Sequence, residues 1–599
     1  MGATERPETQ RANAPVWGSD SIAALLRAMD IEFIALTPGA SFRGLHDSLV
    51  NYLGNTRPEL LLAVHEESAV AIAHGYTRVT GRPMAVALHS NVGLMHATMA
   101  IFNAWCDRVP ILMLGAVGPI DAAQRRPWVD WIHTARDLGS MIRGYIKWDD
   151  LPGSVPAALE AMLRARIIAT TPPPGPVYVC LDASLQEQLL DGAVELPPVE
   201  RFAVAEPADP PSETLARAAA VLSRASRPVI LMGRVSTDLG DWDRRVALAE
   251  RLNARVFTDM KNGAGFPTTH VLHGCPPGLF LSAEAWPAIR EADVILSLDW
   301  IDLAGTLRQA SDGGLPGATV IQCSVDQYCH NGWSMDHQGL PPTDISILAA
   351  PDRVVAKLLD AIPPPQAGRS PWVPGVVTSR DEAPAAETDA ITITALAQRC
   401  TAALTGHNPS YIRLPIGWPG ESCRFAHPLD YIGFDGGGGL GSGPGMAVGA
   451  GLALRGKGRL PVAILGDGDY LMGVTALWTG VHYRVPLLVV VANNQSFFND
   501  ELHQERVARA RSRPVENRWI GVRMSDPPID MAALARGQGA IGLGPIKDEA
   551  ELASALKEAI ETVRHGALCV IDVLVAPEYA RATSSALLRK IPSYRNSTV

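Results

Sequence analysis

Residues 460–496 read LPVAILGDGDYLMGVTALWTGVHYRVPLLVVVANNQS, and the rest of the chain is best read outward from them. The apolar run LPVAILG stops abruptly at Asp467, a carboxylate held between Gly466 and Gly468. Leu471, Val474, Leu477, Trp478 and Val481 then recur at helical spacing. A second apolar run, VPLLVVVA, ends in Asn493-Asn494. Two continuous apolar strands joined by a helix predict a right-handed βαβ unit in a parallel sheet covered on both faces. If the strands are neighbours, Asp467 and the asparagine pair emerge at one sheet edge. Ligands of such sheets sit at that edge, beyond the carboxyl ends of the strands.

Asp467 offers a carboxylate oxygen, Asn494 an amide oxygen and Ser496 a backbone carbonyl. Hard oxygens in that number suit Mg²⁺, which keeps some water and takes its remaining ligands from phosphate. Gly466 and Gly468 leave room for phosphate oxygens to approach backbone N–H groups. GDG by itself is compatible with a tight turn. The combination with a helix, a strand and Asn494, 27 positions beyond Asp467, is far more specific.

The chain has 599 residues, 47% hydrophobic and 19% charged, enough for several full cores. Its formal net charge of −10 and lack of a basic tract argue against nucleic acid as a partner. No apolar run reaches the ~18 residues of a membrane span. The polar start MGATERPETQ reads neither as a secretory signal nor as a myristoylation site. Eight scattered cysteines without a CxxC pair suit reduced thiols in a cytoplasmic protein.

Two stretches rich in Pro and acids, 191–212 and 363–389, divide the chain into three blocks. Each block alternates apolar strands with amphipathic helices. The strands fall at 59–64, 83–88, 109–115 and 175–181, then 227–233, 292–298 and 318–325, then 460–466, 485–493 and 567–575. The expected fold class is α/β, with three consecutive doubly wound parallel-sheet domains at 15–190, 205–362 and 385–580. A tail at 581–599 is a possible lid.

GDG…NN at this spacing resembles the signature of thiamine-diphosphate enzymes, within them the family of acetolactate synthase, benzoylformate decarboxylase and pyruvate decarboxylase. ALWTGVHYRVP, 476–486, is particularly similar to benzoylformate decarboxylase. The resemblance spans roughly residues 20–575. It implies pyrimidine-binding and diphosphate-binding domains flanking a Rossmann-like middle domain. It also implies thiamine diphosphate and Mg²⁺ as cofactors, and a homodimer or homotetramer with the active site between subunits. FAD, or the ADP part of CoA, in the middle domain is left undecided.

In LLLAVHEESAVAIAHGYTR, 60–78, the pattern HExxAxxxAxGYxR resembles the family's glutamate motif. Glu66 falls on the carboxyl that activates the cofactor's aminopyrimidine, and Glu67 is expected to point elsewhere. The glycine-rich GGGGLGSGPG, 436–445, contains a weak dinucleotide-type match. The family resemblance instead places Leu440 and Gly441 against the cofactor, with Gly39, Gly466, Gly468, Asp469 and Asn493 as further cofactor-binding candidates.

His89 resembles an active-site histidine of benzoylformate decarboxylase. It could relay protons at neutral pH, or be a strand-end histidine satisfied by backbone. FPTTH, 266–270, similarly suggests His270 as a second catalytic histidine. In TPGAS, 37–41, Ala40 stands where benzoylformate decarboxylase has a substrate-contacting serine, and Ser41 follows. Alanine there is similar to benzaldehyde lyase. Beyond the asparagines, Phe497, Asn499, Asp500, Glu501 and His503 are candidates to face substrate, and Arg506, Arg509, Arg511 and Arg513 form a solvated face or an anion site.

The resemblance implies an enzyme that cleaves a 2-oxo acid non-oxidatively. An acetolactate-synthase-like carboligase, or a 2-hydroxyacyl-CoA or acyloin lyase, remains open on the same cofactor. A non-catalytic cofactor-binding relative is disfavoured by the joint presence of Glu66, Asp467 and Asn494.

Overall fold

A computed structural model of the chain describes residues 5–7, 14–192, 194–326, 339–364, 372, 390–580 and 583. The tail from 584 and most of the 363–389 stretch lie outside the described residues.

The strands assemble into three parallel sheets. The first contains β1 (Phe33–Leu36), β2 (Glu59–Leu62), β3 (Met84–Leu88), β4 (Ile111–Val117), β5 (Trp148–Asp150) and β6 (Val177–Asp182), in the order β2-β1-β3-β4-β6-β5. The second contains β7 (Pro228–Met232), β8 (Arg255–Thr258), β9 (Val294–Leu298), β10 (Thr319–Ser324) and β11 (Ile345–Leu348), ordered β11-β10-β9-β7-β8. The third contains β12 (Pro409–Arg413), β13 (Leu460–Gly466), β14 (Leu487–Asn493), β15 (Ile541–Ile546) and β16 (Leu568–Leu574), ordered β12-β13-β14-β16-β15. Helices cover both faces, so inner strands such as β4 and β14 are buried at every residue.

All ten sequence-predicted strands are present. The six that were not anticipated are β1, β5, β8, β11, β12 and β15. As predicted, β13 and β14 pair in parallel, with Gly466 opposite Ala492. The connection departs from the expected single helix. It begins at Asp467 itself and is built as two short helices, Asp467–Gly473 and Ala476–His482.

The first and third sheets share one apolar core. It runs from Val86 and Met113 through Ala69, Ile72 and Ala73 to Met446, Val448, Val489 and Val570. Its centre is the crossing of helix Glu66–Thr80 over helix Ser442–Leu454. A Cβ on Gly75 would lie 2.1 Å from the Met446 carbonyl oxygen, and one on Gly449 would lie 1.9 Å from that of Ile72. Only hydrogen at these positions allows the two backbones to approach so closely. Among the described residues, no helix is long and apolar enough to cross a membrane. The seven cysteines among them are buried and free.

Gly75→Ala and Gly449→Ala should each destabilise the chain by at least the ~1–3 kcal/mol typical of overpacking, because the obstructing atoms are backbone. Thermal unfolding monitored by circular dichroism checks this.

Candidate functional site

A cavity of about 270 Å³ opens at the carboxyl edge of the third sheet. Gly466, Asp467, Gly468 and Asp469 line it from the end of β13, and Asn494, Ser496, Phe497, Asn499 and Asp500 from the segment after β14. Leu440 and Gly438 close another side, with Arg413, Phe434 and Tyr579.

The oxygens at its floor converge. The Ser496 N–H is shared by Asp467 Oδ2 at 3.3 Å and Asn494 Oδ1 at 2.9 Å. Between them Gln495 adopts φ 56°, a left-handed conformation that turns the chain tightly enough to bring Asn494 and Ser496 together. Gly468 N–H donates to Asp467 Oδ1 at 2.8 Å. Burial pushes the Asp467 carboxyl up to about 6, against hydrogen bonds from backbone N–H groups that lower it. An all-oxygen donor set around a buried carboxylate fits a hard divalent cation. Gly466 has open space where a Cβ would project, so the strand end is unobstructed.

Asp469 also lines the cavity, but its carboxylate is engaged structurally. Oδ1 accepts from Gly441 N–H at 2.7 Å and Gly443 N–H at 3.3 Å, capping helix Ser442–Leu454. Oδ2 lies 2.8 Å from Arg413 Nε. Arg413 is itself buried, paired to Asp435 at 2.6 Å and set over the Phe434 ring at 4.4 Å. Gly441 has φ +103°, a conformation that favours glycine. Sequence reading missed the Asp435–Arg413–Asp469 triad, because nothing local marks an arginine at the end of an edge strand.

Two expected site residues have other duties. Asn493 is buried, and its Nδ2 donates to Asp572 at 2.9 Å, tying β14 to β16 rather than reaching the cavity. Glu501 is fully buried and accepts from Ser496 Oγ at 2.7 Å and from Arg523 Nε at 2.7 Å. Burial alone would raise the Glu501 pKa. The Arg523 and Ser496 hydrogen bonds outweigh it and lower the value. It therefore props the Ser496 turn and does not line the cavity. His503 is half-buried on helix Phe498–Ala510 and does not line the cavity.

The first-domain candidates form a second cluster. Glu66 opens helix Glu66–Thr80 and is buried; its Oε2 lies 3.0 Å from His96 Nδ1. Glu67 diverges from it toward Gly441, whose Cβ would meet Glu67 Oε1 at 3.5 Å. His89 ends the β3 turn, and Ser90 follows at φ 46°. His89 Nδ1 lies 2.8 Å from Ser41 Oγ, and a Cβ on Gly39 would strike its ring at 2.2 Å. The His133 ring packs edge-on against it at 4.6 Å. Burial, then the proximity of His133, lowers the His89 pKa, while Glu66 opposes that shift. Ala40 is exposed beside this cluster. None of these first-domain residues lines the third-domain cavity.

His270 departs from expectation. Its Nε2 lies 3.2 Å from Glu250 and its ring packs on Phe266, so it is held within the middle domain and outside the cavity.

The triad gives a pH prediction. Burial, with Asp469 nearby and Arg413 opposing, pushes Asp435 up to about 7, against 3.8 for the ordinary group. A carboxyl raised in the folded state holds its proton there after the unfolded chain has lost it. Its contribution to stability is therefore greatest below ~4 and declines as pH rises toward 7. Asp435→Asn should flatten that decline in urea-unfolding midpoints measured from pH 4 to 7. Arg413→Met should cost about 3–5 kcal/mol, since it leaves buried carboxylates uncompensated.

Comparison with known proteins accords with this geometry. Residues 16–137 match the thiamine pyrophosphate enzyme N-terminal TPP binding domain, 215–328 the central domain and 416–573 the C-terminal TPP binding domain. The chain is 25% identical over 574 residues to acetolactate synthase isozyme 3 large subunit of Escherichia coli, covering 93% of this chain and 94% of that protein. It is 26% identical over 522 residues to benzoylformate decarboxylase of Pseudomonas aeruginosa, covering 84% and 90%. The structure of benzoylformate decarboxylase from Polynucleobacter necessarius superposes with a TM-score of 0.76 over 94% of this chain and 99% of that one, at 21% identity. Three consecutive domain matches in the order of the three sheets identify the chain as an enzyme of the thiamine pyrophosphate enzyme family.

Proposed function

We propose that the chain cleaves a 2-oxo acid without oxidation, using thiamine diphosphate and Mg²⁺ held in the third-domain cavity. The carrying observation is the shared Ser496 N–H, which gathers Asp467 and Asn494 oxygens beside the open Gly466 strand end. Asp467, Asn494 and the Ser496 carbonyl would hold the cation, a hard oxygen set suited to a metal that also binds phosphate. Leu440 supports the cofactor from the glycine-rich loop, with Gly441 and Gly468 giving it backbone access. When bound, thiamine diphosphate supplies the electron sink for breaking a bond at a carbonyl carbon. Glu66 holds and returns a proton at the pyrimidine. His89, hydrogen-bonded to Ser41, moves a proton on the substrate side. Phe497, Asn499 and Asp500 line the space in which substrate is oriented.

The working unit in this reading is a homodimer or a dimer of dimers. The cavity takes its lining from the third domain, while Glu66 is directed toward Gly93 and His96 of the first. The glycine crossing locks the Glu66 helix onto its own chain's third domain. The carboxyl for each cavity therefore comes from a second copy. Exposed Val64, Val92 and Met95 on the first domain and Met472 on the third supply apolar surface for that contact.

Ala40 favours a second reading, in which the cofactor-bound fragment is passed to another carbonyl. An exposed alanine in place of a polar side chain leaves room for an acceptor and removes one hydrogen-bonding group.

Release of CO₂ from a panel of 2-oxo acids, with acyloin products assayed in parallel, separates the two readings. CO₂ without acyloin supports the first. Acyloin as the main product supports the second, and turnover of neither kind refutes both. Glu66→Gln and Asp467→Ala should each be inactive. Mixed and re-associated, they should recover about a quarter of wild-type activity, the statistical share of intact sites in random two-fold dimers. No recovery would refute the shared site.

A further inference from the structure

The ring of His89 is held from several directions. On one side is Gly39, where a Cβ would lie 2.2 Å from the His89 Cγ. Ser41 Oγ lies 2.8 Å from Nδ1. The Phe42 ring stands edge-on at 6.3 Å. A second imidazole, that of His133, packs against it at 4.6 Å with an interplanar angle of 60°. With Nδ1 engaged by Ser41, Nε2 is the nitrogen left to meet a substrate. His270 does not supply this second imidazole, because it is held beside Glu250 in the middle domain.

His133 is fixed through its backbone. It follows the short helix Val129–Ile132 in the segment after β4. Its carbonyl oxygen accepts from Gly118 N–H at 3.3 Å and from the hydroxyl of Ser90, the residue after His89. Thr134 fills the space beside Gly118, where a Cβ would lie 2.4 Å from Thr134 Oγ1. Asp130, buried, closes the segment by accepting from Arg126 N–H at 2.7 Å and Arg126 Nη2 at 2.9 Å. The two histidines are thus clasped through Ser90 as one unit.

Two imidazoles this close resist carrying two positive charges, because each disfavours the ionised form of the other. The pair therefore takes up protons in separate steps. Burial, then the proximity of His133, holds the His89 pKa below its ordinary 6.5. Glu66, which faces His89 from helix Glu66–Thr80 with His96 beside it, opposes that shift. The remaining nearby charges are spent on each other, Asp130 with Arg126 and Arg43 with Glu187.

We propose that His133 is the positioning residue for His89, clamping its imidazole against Gly39 and confining the two rings to one shared positive charge. His89 then rests neutral, with Nδ1–H donating to Ser41 Oγ. A proton given up on the substrate side bonds to Nε2, and the pair gains its single charge. On return that N–H bond breaks and the pair is neutral again. This proposal rests on His89 being the group that moves a proton on the substrate side.

The test is the titration of His89 in the cofactor-loaded dimer without substrate, followed by nuclear magnetic resonance of protein carrying ¹³Cε1-histidine. The His89 signal is assigned by its absence from His89→Gln. His133→Phe keeps an aromatic ring on His89 and cannot carry charge. Removing a neighbour that lowers the His89 midpoint should raise it, by at least about half a pH unit. The acid limb of the kcat profile should move up with it, while cofactor affinity by calorimetry stays unchanged. His133→Gln, smaller and also uncharged, should shift the midpoint the same way. Groups contributed by the second copy are the same in wild type and variant, so the difference belongs to His133. A midpoint that stays in place or falls in both variants overturns the proposal and leaves His133 as packing alone. His89→Gln separates the two levels of argument. Wild-type turnover of 2-oxo acids in that variant, with the acid limb intact, removes His89 from the reaction, whereas the titration still reports on its contact with His133.

Discussion

The close crossing of helix Glu66–Thr80 and helix Ser442–Leu454 is the constraint on which the rest of the structure depends. Two glycines, Gly75 and Gly449, bring each backbone against a carbonyl of the other. The contact fuses two sheets into one apolar core. It also fixes where the ends of both helices point. Glu66 starts one helix and Gly441 precedes the other, so the acid and the glycine-rich loop are placed by the same packing event. Glu66 is thereby directed toward Gly93 and His96 of the first domain and not into the cavity of the third.

Around the cavity, charge is arranged at two depths. At the rim, oxygens of Asp467 and Asn494 converge on one backbone N–H. Beneath it, Arg413 is sandwiched between Asp435 and Asp469 and holds the Asp469 cap on helix Ser442–Leu454. Burying two carboxylates around one guanidinium is a weak route to stability. Its evident effect is to fix Asp469, and with it the loop carrying Leu440 and Gly441. Backbone strain occurs at both candidate sites, as it does elsewhere in the chain. Ser90 beside His89 and Gln495 between Asn494 and Ser496 both have positive φ without being glycine. Such conformations persist where surrounding structure over-determines them, and they cluster at functional sites.

Much of this was legible in the chain's own letters. A strand buried on both faces must be continuously apolar, so ten strands announced themselves, and nine of those ten lie inside a sheet. Five of the six that did not, β5, β8, β11, β12 and β15, lie at sheet edges. Edge strands pair along only one backbone and need not be continuously apolar, so sequences such as the half-buried WDD carry little apolar signal. The sixth, β1, is interior but only four residues long. The Asp467 and Asn494 pair was legible because the βαβ unit places both ends at one edge by local geometry alone.

What the letters could not show is how side chains from distant segments divide the available partners. Glu501 and Asp500 are adjacent and look alike in sequence, yet one is neutralised by Arg523 while the other lines the cavity. Asn493 and Asn494 are likewise equivalent until Asp572 claims the first. His96 and His133 had no local mark, and they acquire significance only beside Glu66 and His89. Sequence by itself determined the periodicities, and hence the sheets and the residues at strand ends, because these depend on near neighbours. Tertiary structure decided which polar groups remained open to a ligand, because hydrogen bonds and ion pairs are settled between residues tens or hundreds of positions apart.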